Sequence, residues 1–209
     1  MLNYKKAGLL GLIIILLAAC AFYFGYWIRT PQYALNVISK ALSQHDAETF
    51  SQYVDLDNLY DKLFDDSFTA EVKPNKERAN AALLTHLTAI KRLVVPVFTA
   101  ATLNYVKTGN AELTGSTAND PTGRGVQLAM GMVLKLGLTN LEFKSFDGLN
   151  KNGSVATAKI TIYDRQLEKE LPLLLKMQAG PDGHWKLVSL DDIPAYLKLR
   201  QTALDAKLK

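Results

Sequence analysis

The stretch Val155-Ala156-Thr157-Ala158-Lys159-Ile160-Thr161-Ile162-Tyr163 decides the fold. Ala158, Ile160 and Ile162 alternate with Thr157, Lys159 and Thr161, the period of two of a strand with one face packed and one wet. Upstream, Leu141-Glu142-Phe143-Lys144-Ser145-Phe146 alternates roughly and ends on the turn-forming Asn150-Lys151-Asn152-Gly153. Downstream, Leu171 to Gln178 reads as a third strand, and Gly180-Pro181-Asp182-Gly183 as a tight turn. Trp185, Leu187 and Ser189 then open a fourth strand on alternate positions. Strands separated by short turns predict an antiparallel meander. Asp191-Asp192-Ile193-Pro194 starts a C-terminal helix running to about Lys207, with acids at its start and lysines at its end, as the helix dipole favours.

The half before these strands has helical spacing. Pro31 suits a first helical turn, and Tyr33, Leu35, Val37, Ile38, Ala41 and Leu42 mark a helix ending near His45. Asp46 is placed to cap a short helix carrying Phe50, Tyr53 and Val54, and Asp55 to cap one with Leu56, Leu59, Tyr60, Leu63 and Phe64 on a stripe. A long pattern from Pro74 to about Lys107 follows, with Pro96 inside it expected to kink or break it. Residues 108 to 124, rich in Gly, Asn, Asp and Pro, predict a long loop, and Val126 to Leu136 a short apolar helix or buried segment. Helices first and antiparallel strands after predict an α+β fold, with helices packed on a curved sheet and a C-terminal helix behind it. That order, with the Gly180-Pro181-Asp182-Gly183-His184-Trp185-Lys186-Leu187-Val188 end strand, resembles the cone-shaped nuclear-transport-factor-2-like fold, a likeness that implies no activity.

Ala7 to Ile28 is a run of 22 residues without a charge. As a helix rising 1.5 Å per residue it would span about 33 Å, enough for the hydrocarbon core of a bilayer. Tyr23, Tyr26 and Trp27 lie at its far end, where an interfacial aromatic belt belongs. The chain therefore divides into a membrane anchor, residues 1–29, and a domain, residues 30–209. Lys5 and Lys6 precede the run and Arg29 follows it, so the positive-inside rule puts the N-terminus in the cytoplasm and the domain outside. Two other readings compete. A cleaved signal peptide has a shorter apolar core followed by polar chain. Leu17-Ala18-Ala19-Cys20 has the form of a lipobox that would leave Cys20 lipidated, but eight more membrane-compatible residues follow it.

The formal net charge is +4, of which the anchor supplies +3; the remaining 180 residues hold 21 basic and 20 acidic side chains. No basic patch is left for nucleic acid. Cys20 is the only cysteine, so no intrachain disulfide forms. A domain of this size buries roughly 70% of its unfolded surface and needs no staple.

The segment Thr30-Pro31-Gln32-Tyr33-Ala34-Leu35, with Ile38, Ala41, His45-Asp46, Phe50 and Tyr53-Val54-Asp55-Leu56-Asp57, resembles the opening of an uncharacterised family of bacterial membrane-anchored proteins, a domain of unknown function. The resemblance covers about 30 residues closely. It implies a bacterial envelope location and supplies no activity, ligand or catalytic residue.

Each candidate site has a structural rival. His45-Asp46 is an acid–base dyad or a helix end followed by a cap. Asp55 and Asp57 with Asp61, Asp65 or Asp66 are a cation cluster or solvated acids; no glycine gives the sharp turn a calcium loop needs. His86, between Leu84 and Leu87, reads as a core or rim residue, and His184 as exposed. Three scattered histidines and Cys20 make no zinc set, so no metal or cofactor site is assigned. Gly123-Arg124-Gly125 is too short for a phosphate loop, and no Gly-x-Ser-x-Gly elbow surrounds a serine. Tyr33, Tyr53, Tyr60, Tyr105, Tyr163, Phe143, Phe146 and Trp185 are expected mostly in the core, some lining a pocket between sheet and helices. The expectation is a membrane-tethered binding or interaction module for a protein, a small apolar ligand or an envelope polymer. The alternatives are an isomerase- or dehydratase-type enzyme using His86 or an aspartate as base, and a structural component of an envelope assembly.

Overall fold

The computed structural model describes residues 4–69, 77–110 and 121–207. Among these, seven α-helices and four strands follow the predicted order: α1 (Tyr4–Gly25), α2 (Pro31–Ser43), α3 (Ala47–Tyr53), α4 (Leu56–Thr69), α5 (Glu77–Thr108), α6 (Pro121–Leu136), β1 (Leu141–Asn152), β2 (Val155–Asp164), β3 (Lys169–Ala179), β4 (Trp185–Asp191) and α7 (Ile193–Lys207). The strands form one antiparallel sheet in the order β1-β2-β3-β4. The fold is α+β, as the period change from helical to alternating predicts.

Register fixes the sheet's inner face. Ala156, Ala158 and Ile162 of β2 are buried, and they stand opposite Met177, Leu175 and Leu171 of β3. Onto this face pack Leu63 and Phe64 of α4, Val94 and Phe98 of α5, Ala129, Met132 and Leu136 of α6, and Ile193, Tyr196 and Ala203 of α7. The space between sheet and helices is therefore filled with apolar side chains. A second cluster joins Ile38 and Ala41 to Phe50, Val54, Leu56, Leu59 and Val106. At the β4 edge, Val54 makes a parallel bridge to Leu187, and the Asp55 N–H donates to the Leu187 carbonyl at 2.8 Å. The segment before α4 thereby covers the β4 edge at Leu187.

Two boundaries differ from the sequence reading. Helix α5 continues through Pro96, which costs one backbone bond and is borne by the packing of Val94, Val95 and Phe98 around it. The loop ends earlier than expected, because Pro121 opens α6 at a position where its missing N–H would have no helical partner anyway; residues 111–120 of that loop, and Pro74 at the start of the α5 pattern, lie outside the described residues. Gly123-Arg124-Gly125 thus sits in a helical turn. A Cβ on Gly125 would lie 2.6 Å from the Leu93 carbonyl oxygen, so glycine here lets α6 approach α5 closely.

From Leu12 to Gly25 helix α1 is apolar all round and exposed. Leu12–Arg29 is long and apolar enough to cross a membrane, the one such segment among the described residues. It joins the domain with no linker. The Thr30 hydroxyl caps α2 by accepting from the Tyr33 N–H at 3.1 Å, and it donates to the Trp27 carbonyl at 2.8 Å.

Candidate functional site

His45 and Asp46 do not form a dyad. His45 takes a left-handed backbone (φ 57°) that ends α2, and its Nδ1 lies 2.8 Å from the Val106 carbonyl, to which it donates. Asp46 Oδ1 accepts from the Thr49 N–H at 2.9 Å. The Thr49 hydrogen bonds hold the Asp46 carboxyl below its ordinary range. A pKa lower folded than unfolded contributes stability at neutral pH that is lost as pH falls through the depressed value. Asp46→Ala is therefore expected to lower stability at neutral pH, as loss of an N-cap does, with a smaller deficit in acid below the depressed carboxyl value. Chemical denaturation at the two pH values measures it, and a pH-independent deficit would remove the cap assignment.

The acidic row on α4 is divided among partners. Asp55 Oδ1 accepts from the Asn58 N–H at 3.2 Å, and Asp57 Oδ1 from the Thr99 hydroxyl at 3.1 Å. Lys91 bridges Asp61 and Asp65 at 2.9 and 3.0 Å, and Lys62 pairs with Asp66 at 2.9 Å. Among the described residues no group of acids, histidines and cysteine is placed to hold a metal ion. The cation-cluster reading gives way to helix capping and surface ion pairs. Asp57, Asp61, Asp65 and Lys91 rim an open cleft of about 950 Å³ between α4 and α5, floored by Phe64, Phe68, Leu87 and Val95. Its best-placed cation, Lys91, is held by two carboxylates, and its carboxylates by Lys91 and Thr99. Arg92 lines the same cleft.

His86 is exposed on α5, so it is neither core nor enclosed base. His184 Nδ1 lies 3.0 Å from Asp182 Oδ2 in the β3–β4 turn.

Sequence reasoning missed a buried ionic clasp. Asp164, fully buried at the end of β2, accepts the N–H groups of Gln166 and Leu167 at 2.9 and 3.1 Å on Oδ1. On Oδ2 it accepts Arg200 Nε of α7 at 3.1 Å. An Arg200 terminal nitrogen donates to Gln166 Oε1 at 2.6 Å. Nearby, the Tyr196 hydroxyl donates to the Leu136 carbonyl at 3.0 Å, and burial pushes that phenol up to about 12. The signal was present in the sequence: Arg200 falls on the stripe Ile193, Tyr196, Ala203 that should have been wholly apolar. Every partner is satisfied, so the clasp is structural.

The aromatic reserve does not all enter the core. Trp185 is buried, but Tyr105, Phe143 and Phe146 are exposed. Phe143 and Phe146 are three apart, so a regular strand would put them on opposite faces. A bulge at Lys144 shifts the register, leaving Phe143 opposite Ile162 and Phe146 opposite Ile160. A second irregularity before Gly148 brings Leu149 opposite Ala158. All three therefore stand on the inner face, where the helices pack, yet Phe143 is 66% exposed and Phe146 46%. Leu141 and Leu149 at the two ends of β1 pack against the cores, whereas Phe143 and Phe146 between them are left bare. The result is an uncovered aromatic strip along an edge strand.

No protein-family model matches the chain, and neither a curated protein nor a solved structure is significantly similar to it.

Proposed function

We propose that this protein is a membrane-tethered, extracytoplasmic interaction module whose partner is a protein seated on the β1 strip. The observation that carries the reading is the pair Phe143 and Phe146, brought together on the inner face of the sheet by the bulge at Lys144 and left bare there. Exposed aromatics at fixed positions are what interfaces use as anchors. On the other face of the strand Lys144 lies over the Tyr163 ring at 4.9 Å, and Glu142 accepts from Lys144 and Arg165, so polar groups stand behind the strip. The apolar α1 helix supports the tether, and Lys5 and Lys6 support an inward N-terminus. The likeness of the 30–57 segment to bacterial membrane-anchored proteins supports the envelope location.

The enzyme reading fits less well. It needs an enclosed acid or base, whereas the space between sheet and helices is packed with Phe64, Phe98, Met132 and their neighbours. The polar cluster buried there is the neutralised Asp164–Arg200 clasp.

The test is site-specific photo-crosslinking in cells of the source organism. A photoreactive residue at Phe143 or Phe146 is expected to give one discrete adduct, and the same residue at Glu168, in the β2–β3 turn, none. Phe143→Ser with Phe146→Ser should abolish the adduct at Leu149 while shifting stability by less than about 1 kcal/mol, because exposed substitutions cost little. Identical adduct patterns at Phe143 and Glu168 would overturn the assignment.

A further inference from the structure

We propose that the base of the domain is a docking face for anionic phospholipid headgroups, made by the β1–β2 and β3–β4 turns with Arg29 and Lys151. This rests on the membrane-tethered reading above and adds a second, lipid partner at the opposite end of the sheet from Phe143.

The argument starts from the anchor's length. If the charge-free run 7–28 fills the hydrocarbon core, Arg29 is the first residue in the headgroup layer, which adds only about 6 Å on each side of the bilayer. Whatever is fixed within a few ångströms of Arg29 must then share that layer. The Trp185 Nε1–H donates to the Arg29 carbonyl at 3.0 Å. A Cβ at Gly183 would stand 3.2 Å from Arg29 Cδ, so the β3–β4 turn lies along the arginine stem. Lys151 Nζ sits 5.2 Å from the Trp185 ring centre, which brings in the β1–β2 turn beside it. Tyr23 of the anchor meets Tyr33 of α2 edge-on with ring centres 6.4 Å apart, and Tyr33 meets Tyr53 at 6.3 Å. The domain cannot swing away from the surface without breaking these contacts, because only Tyr26 to Thr30 separate α1 from α2.

The chemistry of the face suits the layer. Arg29 and Lys151 are exposed cations, and both meet Trp185. The acid of the adjacent turn, Asp182, is occupied by the His184 N–H at 3.1 Å and by its ring. Cations held at the phosphate level are attracted by about 1 kcal/mol each to an anionic surface. The exposed rings of Tyr23, Tyr26 and Trp27 at the same level match the interfacial preference of Trp and Tyr.

The experiment uses the full chain, with Cys20→Ser, in vesicles of phosphatidylcholine and phosphatidylglycerol carrying a nickel-chelating lipid. Spin labels go on Ser154→Cys, Pro181→Cys and Lys169→Cys. Ser154 and Pro181 are in the two basal turns, whereas Lys169 is ten residues from Ala179 along β3, about 34 Å away at 3.4 Å per residue. Relaxation enhancement is expected to be severalfold larger at 154 and 181 than at 169. Lys151→Glu should reduce the enhancement at 154 at least twofold, approximating the loss of one surface cation. Equal enhancement at all three labels would overturn the docking face, and an unchanged signal in Lys151→Glu would overturn its charged component. Flotation of the same vesicles separates the two readings: a chain that fails to float defeats the tether itself, and one that floats with equal labels defeats only the docking.

Discussion

Arg200→Ala will unfold the domain more readily than any surface substitution in it. Asp164 is fully buried and Arg200 6% exposed, so removing the guanidinium strands a carboxylate out of water. Breaking one side of a buried pair typically costs about 3–5 kcal/mol, against a total domain stability of about 5–15. For roughly 180 residues that corresponds to a fall in Tm of about 10 °C. The two N–H groups on Asp164 Oδ1 soften the loss but do not replace the Oδ2 partner. Gly137 enlarges it. It has φ +67°, and a Cβ there would lie 2.3 Å from an Arg200 terminal nitrogen, so the guanidinium lies flat against this backbone. Removing it leaves a cavity as well as a charge. The internal control is Arg165→Ala. Arg165 pairs with Glu142 on the surface, its side chain is 66% exposed, and exposed pairs are worth about 0–1 kcal/mol. Thermal unfolding of both variants, followed by near-ultraviolet circular dichroism, should separate them by several degrees. Equal midpoints would show that the clasp carries no net stability.

The clasp also shows where a sequence stops being legible. Periodicity gave α2, α3 and α4, with the caps of α3 and α4 at Asp46 and Asp55, because apolar spacing and short-range hydrogen bonds are local properties. It gave the meander for the same reason: Val155 to Tyr163 alternates, and short turns bound it. Asp164 and Arg200 are 36 residues apart, and nothing local pairs them. The bulge at Lys144 was equally invisible. A strict period of two would have split Phe143 from Phe146, and one extra residue in the strand reverses that. The candidate surface therefore depends on a register shift, whereas the rejected His45-Asp46 and Asp55-to-Asp66 sites were read from adjacency alone. Adjacency on a helix start mostly produces caps. Pro96 marks the same limit from the other side: a strong local signal was overridden by tertiary packing on α5.

Trp185→Ala should be the most damaging single change at the α1 end of the domain. Trp185 is 2% exposed and packs with Ala34, Ala156 and Met177. Truncating a buried tryptophan costs about 3–5 kcal/mol through lost transfer energy and the cavity left behind. The small neighbours Ala34 and Ala156 have little side chain with which to refill it, which favours the upper part of that range. The substitution also removes the N–H donor to Arg29 and the ring under Lys151, so anchor and domain lose their main cross-link. Trp185→Phe separates these effects. Phenylalanine keeps most of the apolar contact and loses the donor, a change of about 0.5–1.5 kcal/mol for the hydrogen bond alone. The chain has two tryptophans, so in Trp185→Phe the remaining fluorescence comes from Trp27 at the end of the anchor. If the hydrogen bond to Arg29 holds the domain to the surface, Trp27 emission in vesicles should shift to the red as water enters beside it, while the unfolding midpoint moves only slightly. If the packing of α2 and the Tyr23–Tyr33–Tyr53 contacts hold it instead, Trp27 emission will stay unchanged in Trp185→Phe and shift only in Trp185→Ala, together with unfolding.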